Sequence, residues 1–124
     1  MEVILDSSFI ISCVRAGIDF LEQLEELGLK PVVPKEVLQE LKDIKARTGI
    51  SPKDKEFIDI AFQMIEQKKT KKMSLGDFNK VDDGLIKKGK EGIYIATLDK
   101  AIQREVPNRI IIKTSEKRVI LERD

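Results

Sequence analysis

Several acidic residues stand where the chain gives a carboxylate more to do than solvate a surface. Asp6 follows the apolar run Val3-Ile4-Leu5, and Asp99 closes the segment that begins Ile93-Tyr94-Ile95-Ala96-Thr97, so each ends a stretch that reads as a buried strand. Glu40 lies in a run whose apolar positions Val37, Leu38, Leu41 and Ile44 keep helical spacing. At about 100° of rotation per residue it falls roughly 60° from Val37 and roughly 40° from Ile44, beside the buried stripe, whereas Glu36 falls roughly 100° from Val37 on the outer side. Asp82 and Asp83 open a later helix. If Asn79 caps that helix, Asp82 takes the third helical position, where an acid can bond back to the cap, and Asp83 falls three residues before apolar Ile86. Asp83 is therefore the better candidate for a buried carboxylate.

The chain has no histidine, which excludes a Ser-His-Asp or Cys-His triad, a histidine general acid and every zinc site built on imidazole. No phosphate-binding glycine loop and no G-x-S-x-G nucleophile elbow occurs. An enzyme made from this sequence works with carboxylates, hydroxyls and lysines, with or without a hard metal ion.

The elements that must position these groups alternate. Strands are expected at Val3 to Leu5, Lys30 to Val33, Ile93 to Thr97, Arg109 to Lys113 and Arg118 to Leu121, with a minor strand or extended loop at Met73 to Leu75. Helices are expected from Phe9 to Val14 behind a Ser7 or Ser8 cap, over residues 18 to 27, from Pro34 to before Gly49, from Pro52 through Ile65, from about Lys80 to Lys88, and from Lys100 to Arg104. Gln67 to Lys72 reads as a polar, basic connection. This alternation predicts an α/β fold, a three-layer α/β/α sandwich around a mainly parallel sheet. In such sheets ligands bind beyond the carboxyl ends of the strands at a topological switch point, which is where Asp6 and Asp99 would project.

At 124 residues the chain fits one domain, 1–124, with enough length to bury a layered core without disulfides. Its charged content of 36% is evenly split to a net charge of +1, so charge alone names no nucleic-acid partner. Cys13 sits among Ile10, Ile11 and Val14 and reads as a buried, inert thiol. With no secretory leader at Glu2 to Asp6 and no apolar run of spanning length, a cytoplasmic location and no membrane partner are expected. Lys68-Lys69 with Lys71-Lys72, and Lys87-Lys88 with Lys90, suit a phosphate-binding rim, though the commoner reading is a solvated surface. Phe9, Phe20, Phe57 and Phe62 read as core.

The ordered segments V-I-L-D-S-S-F-I-I at 3 to 11, P-K-E-V-L-Q-E-L with its inward glutamate, D-D-G-L-I at 82 to 86 and I-A-T-L-D-K-A-I at 95 to 102 resemble the motifs of PIN-domain nucleases. The resemblance implies that Asp6, Glu40, Asp83 and Asp99 gather in one pocket around Mg²⁺ or Mn²⁺, with the hydroxyls of Ser8 and Thr97 beside them. It implies hydrolysis of RNA. An oxygen-only ligand set suits these ions, and a divalent cation would balance carboxylates that otherwise repel. The family also implies partners: RNA as substrate, an antitoxin or an RNA-processing assembly, and a second copy of the chain. Gly84-Leu85-Ile86-Lys87-Lys88-Gly89 stands where many toxin members carry an alanine-rich helix, and no cysteine-rich zinc module of the larger rRNA-processing members is present. What remains is a small stand-alone, archaeal-type domain.

Two other readings compete. Some PIN domains have lost activity and act as RNA- or protein-binding modules, but here every acidic position is filled. A flavodoxin-like receiver domain also gathers acids around Mg²⁺ at strand ends, an arrangement that Glu40 and Asp83, each on a helix, fit poorly. Taken singly, Asp6 and Asp99 could merely cap the helices that follow them, and Glu40 and Asp83 could be solvated helix acids.

Overall fold

A computed structural model describes residues 1–124. The chain runs β1 (Glu2–Leu5), α1 (Ser7–Arg15), α2 (Phe20–Glu26), β2 (Lys30–Pro34), α3 (Lys35–Lys45), α4 (Pro52–Gln67), β3 (Lys71–Met73), α5 (Val81–Lys90), β4 (Tyr94–Ala96), α6 (Lys100–Glu105), β5 (Asn108–Lys113) and β6 (Arg118–Arg123). The six strands form one sheet in the order β3-β2-β1-β4-β5-β6, parallel throughout except where β6 returns against β5. This is the expected three-layer α/β/α arrangement.

Side-chain alternation along the short parallel strands divides the core. Val3 and Leu5 of β1, with Tyr94 and Ala96 of β4, face a large apolar layer filled by Phe9, Phe20, Leu24, Val37, Leu41, Ile58 and Ile65 from α1 to α4. Ile4 and Ile95, one residue out of step, face a smaller cluster with Leu75, Leu85 of α5, Ile102 of α6 and Val106. Cys13 is buried in the larger layer, and burial pushes its thiol up to about 12, as an inert cysteine requires.

The topology fixes where a site can form. From β1 the chain moves outward through β2 to β3, then returns to place β4 on the other side of β1, so the switch point lies between the carboxyl ends of β1 and β4. The backbone of Asp6 extends this junction by donating its N–H to the Ala96 carbonyl at 2.9 Å.

Element boundaries depart from the sequence reading in four places, each with a local cause. Asp6 itself caps α1, its Oδ1 accepting from the Ser7 amide at 2.8 Å, so neither serine has that role. Pro34 ends β2 and sits just outside α3 with φ −63° and ψ 142°, since a proline φ suits both strand and helix entry. Lys80, not Asn79, precedes α5, without a side-chain cap. A strand forms at Lys71–Met73 inside the expected basic connection, where pairing with Val32 to Pro34 supplies the structure and the exposed lysines suit an edge.

Candidate active site

The loops after β1 and β4 bring Asp6, Ser8 and Thr97 into one hydrogen-bonded group. Asp6 is 6% exposed and Thr97 fully buried. Thr97 Oγ1 donates to Asp6 Oδ2 at 2.7 Å, and Ser8 Oγ donates to the same oxygen at 3.3 Å while standing 3.5 Å from Thr97 Oγ1. Ser8 Oγ also accepts from the Leu98 amide at 3.2 Å, and Thr97 Oγ1 accepts from the Asp99 amide at 3.1 Å. The two hydroxyls thus staple the two strand ends together through one carboxylate.

Glu40 joins from α3 through Ser7, whose Oγ donates to Glu40 Oε1 at 3.3 Å. The expectation that Glu40 turns inward is met, because Val37 and Leu41 on either side of it along the helix are fully buried. Ser7 was expected only as a cap, and its link to Glu40 depends on a contact across 33 residues that local sequence does not encode.

Electrostatics single out the same pair. Burial raises the pKa of Asp6 most strongly, the bonds from Thr97, Ser7 and Ser8 pull it down, and the charge of Asp82 adds to the rise. Burial likewise raises Glu40, reinforced by the charges of Asp6, Asp82 and Asp43 and opposed by the Ser7 hydroxyl. No lysine or arginine forms an ion pair with Asp6, Glu40, Asp82, Asp83 or Asp99. In a chain so rich in lysine, these acids carry no compensating side-chain cation.

On α5 the charge of Asp82 reaches Asp6 and Glu40, beside the Asp83 that the sequence reading favoured. The buried face is set by Gly84, Leu85 and Gly89, with Ile86 only half-buried. Both acids are exposed, so the expectation of a buried Asp83 is not met; at about 100° per residue, Asp83 lies roughly 160° from Leu85 and Asp82 roughly 60°. Asp82 is the α5 acid whose charge bears on both Asp6 and Glu40.

Asp99 caps α6, its Oδ1 accepting from the Ala101 amide at 2.9 Å, and it connects to Asp6 only through Thr97. No three acidic side chains of the chain converge closely enough to form a ready-made metal cage. The donor set nevertheless fits a hard divalent ion. It offers carboxylate and hydroxyl oxygens alone, it lacks compensating cations, and ions such as Mg²⁺ bind through one or two carboxylates while keeping several waters.

A parallel α/β sandwich with unneutralised carboxylates and hydroxyls at its switch point defines a class of small acidic-site domain. The sequence matches the PIN like domain family over residues 3–118, and the chain belongs to that family, whose members are usually nucleases. Among solved structures it resembles that of the PIN domain endonuclease Utp24, with a TM-score of 0.76 and 20% identity, covering 99% of this chain and 92% of that one. Among curated proteins no sequence match is found. No helix is long and apolar enough to cross a membrane.

Packing accounts for the glycines noted in the sequence at 84 and 89. Glycines stand in α5 because its packing is too close for side chains: a Cβ on Gly84 would lie 3.0 Å from Leu75 Cβ, and one on Gly89 would lie 2.2 Å from Val106 Cγ1.

Proposed function

We propose that this protein is a divalent-metal-dependent endoribonuclease that hydrolyses RNA phosphodiester bonds at the crevice between β1 and β4. The observation that carries the proposal is the geometry at the switch point, where buried Asp6 and half-buried Glu40 are held by hydroxyl donors and have no lysine or arginine partner, so that a bound cation would stabilise their charged forms. Asp6 and Glu40 would hold Mg²⁺ or Mn²⁺, with Asp82 nearby; Asp99, whose Oδ1 is committed to its helix cap, and solvent-facing Asp83 are the outer candidates. A bound divalent ion supplies Lewis acidity toward the phosphodiester and acidifies water.

The chain's own groups have defined tasks in this scheme. Thr97 and Ser8 fix the orientation of Asp6 and keep Oδ2 supplied with donors, and Ser7 fixes Glu40. Asp6 is nearly buried at the carboxyl ends of the strands, and RNA would approach it from the side of half-buried Glu40 and Asp99 and exposed Asp82. That the structure it resembles is of an endonuclease supports a substrate cut internally. A glycine-bearing α5 favours a role in RNA maturation over that of a toxin held by an antitoxin, in the cytoplasm and without a membrane.

The experiment is RNA cleavage by the purified protein and by its Asp82→Asn and Asp83→Asn variants. Loss of most activity in Asp82→Asn with Asp83→Asn near wild type supports the assignment, and the reverse result returns Asp83 to the site. Metal and RNA binding without cleavage by the wild type would favour a silent binding module instead.

A further inference from the structure

Glu36 has a carboxylate that the proposed chemistry does not use and the helix does not need. An acid in the first turn of α3 is ordinarily accounted for by the helix dipole. Here both oxygens are committed elsewhere: the Leu75 amide donates to Oε1 at 3.2 Å and to Oε2 at 3.1 Å, and Ser74 Oγ donates to Oε2 at 3.3 Å. The contact spans 39 residues of sequence.

The segment it grips has little other support. Residues 74 to 79 make no backbone–backbone hydrogen bond. They are held by the buried Leu75 side chain, by Ser74 Oγ accepting from the Gly76 amide at 3.3 Å, and by Phe78 lying against Gly84 with Lys87 above its ring. The segment runs directly into Lys80 at the start of α5, two residues before Asp82. At its other end the tie rests on α3, and Glu40 lies one turn beyond Glu36 on that helix. One carboxylate therefore joins the helix that holds Glu40 to the strand-to-helix segment that delivers Asp82.

We propose that Glu36 is a positioning residue, a strap that fixes the start of α5 against α3 and so keeps Asp82 within electrostatic reach of Asp6 and Glu40. The consequence for cation binding rests on the metal-site reading above; the strap itself does not. Without the carboxylate, the Leu75 amide and Ser74 hydroxyl turn to water, and the first turn of α5 is free to shift away from the repelling acids while Leu85 and Gly89 hold the rest of the helix in the core. Groups that orient ligands from behind typically change metal affinity by about 10–100-fold.

The test compares wild type with Glu36→Ala and Glu36→Gln. Amide hydrogen exchange followed by NMR in chelator reads the strap directly: Glu36→Ala should accelerate exchange at Leu75 and in the first turn of α5 while leaving β1 and β4 unchanged. Mn²⁺ titration of cleavage should show the half-saturating concentration rising about tenfold in Glu36→Ala with KM for RNA unchanged. Glu36→Gln, which keeps one oxygen able to accept from Leu75, should recover most of both effects. Unchanged exchange at Leu75 and α5 in Glu36→Ala overturns the proposal, and so does faster exchange with Mn²⁺ half-saturation within twofold of wild type, which would reduce the strap to a structural tie. If wild type neither binds Mn²⁺ nor cleaves RNA, the metal-site reading fails, and the exchange comparison alone decides for or against Glu36.

Discussion

Replacing Thr97 with valine keeps the side-chain shape and deletes one hydroxyl, which isolates how the fold tolerates a buried carboxylate. Thr97 is fully buried, donating to Asp6 Oδ2 at 2.7 Å and accepting from the Asp99 amide at 3.1 Å. A hydrogen bond to a charged acceptor contributes about 1.5–3 kcal/mol, and an amide left without its acceptor costs about 1 kcal/mol where water can partly replace it. Thr97→Val should therefore lose about 2–4 kcal/mol at neutral pH, a large share of the roughly 5–15 kcal/mol typical of a domain. The loss should depend on pH with a definite sign. Burial raises the Asp6 pKa and the Thr97 bond opposes that rise, so the variant pushes it higher still. The penalty is greatest where Asp6 is ionised and shrinks as pH falls through its raised folded value, because a bond to the protonated carboxyl is an ordinary one of about 1 kcal/mol. Urea unfolding in chelator across the acid-to-neutral range measures this, with Thr97→Ser, which keeps the hydroxyl, as the partner variant. A loss under about 1 kcal/mol at neutral pH, a loss that ignores pH, or an equal loss in Thr97→Ser would refute the reasoning.

Further expectations follow from the same geometry. Asp6 and Glu40 both have raised pKa values, so the stability carried by their neutral forms is fully present below about pH 4 and is lost as pH rises through the folded values. Asp6→Asn should accordingly raise the melting temperature at neutral pH in chelator and leave it unchanged in strong acid; a lower value at neutral pH contradicts this. Saturating Mn²⁺ should stabilise the folded protein, by about 2.7 kcal/mol at a hundredfold excess over its Kd, and calorimetry that finds no shift would count against the site. Gly89→Ala gains about 1 kcal/mol of helix propensity but sets a Cβ 2.2 Å from Val106 Cγ1 and 3.0 Å from Ile95 Cγ1. With approach this close, overpacking should fall toward the upper end of about 1–3 kcal/mol and win, for a net loss of up to about 2 kcal/mol in urea unfolding, and a net gain would show that α5 has room.

Much of the architecture was legible because short apolar runs ending in acids carry their own address. Val3 to Leu5 and Ile93 to Thr97 announced buried parallel strands, and the rule for open sheets then placed Asp6 at the crevice. Glu40 was legible because helical spacing alone turned it inward. What escaped was set by tertiary contact. The edge strand Lys71–Met73 owes its form to pairing with β2, not to any apolar pattern of its own. The bearing of Asp82 on Asp6 and Glu40 is a charge effect across the fold that local sequence does not encode. Glu36 read as an outward acid because its partners lie 38 and 39 residues away in a segment with no periodicity to betray them. Asp99 takes the commoner role of a strand-end acid, its Oδ1 capping α6.

The central claim is that the carboxylates at the switch point hold a cation that cuts RNA, and cleavage of a labelled mixed RNA tests it most directly. The purified protein would be assayed with Mn²⁺, with Mg²⁺ and with chelator, beside Asp6→Asn prepared identically. The account predicts internal cleavage with either or both ions, none with chelator and none from the variant. Cleavage that survives chelation or persists in Asp6→Asn would contradict it.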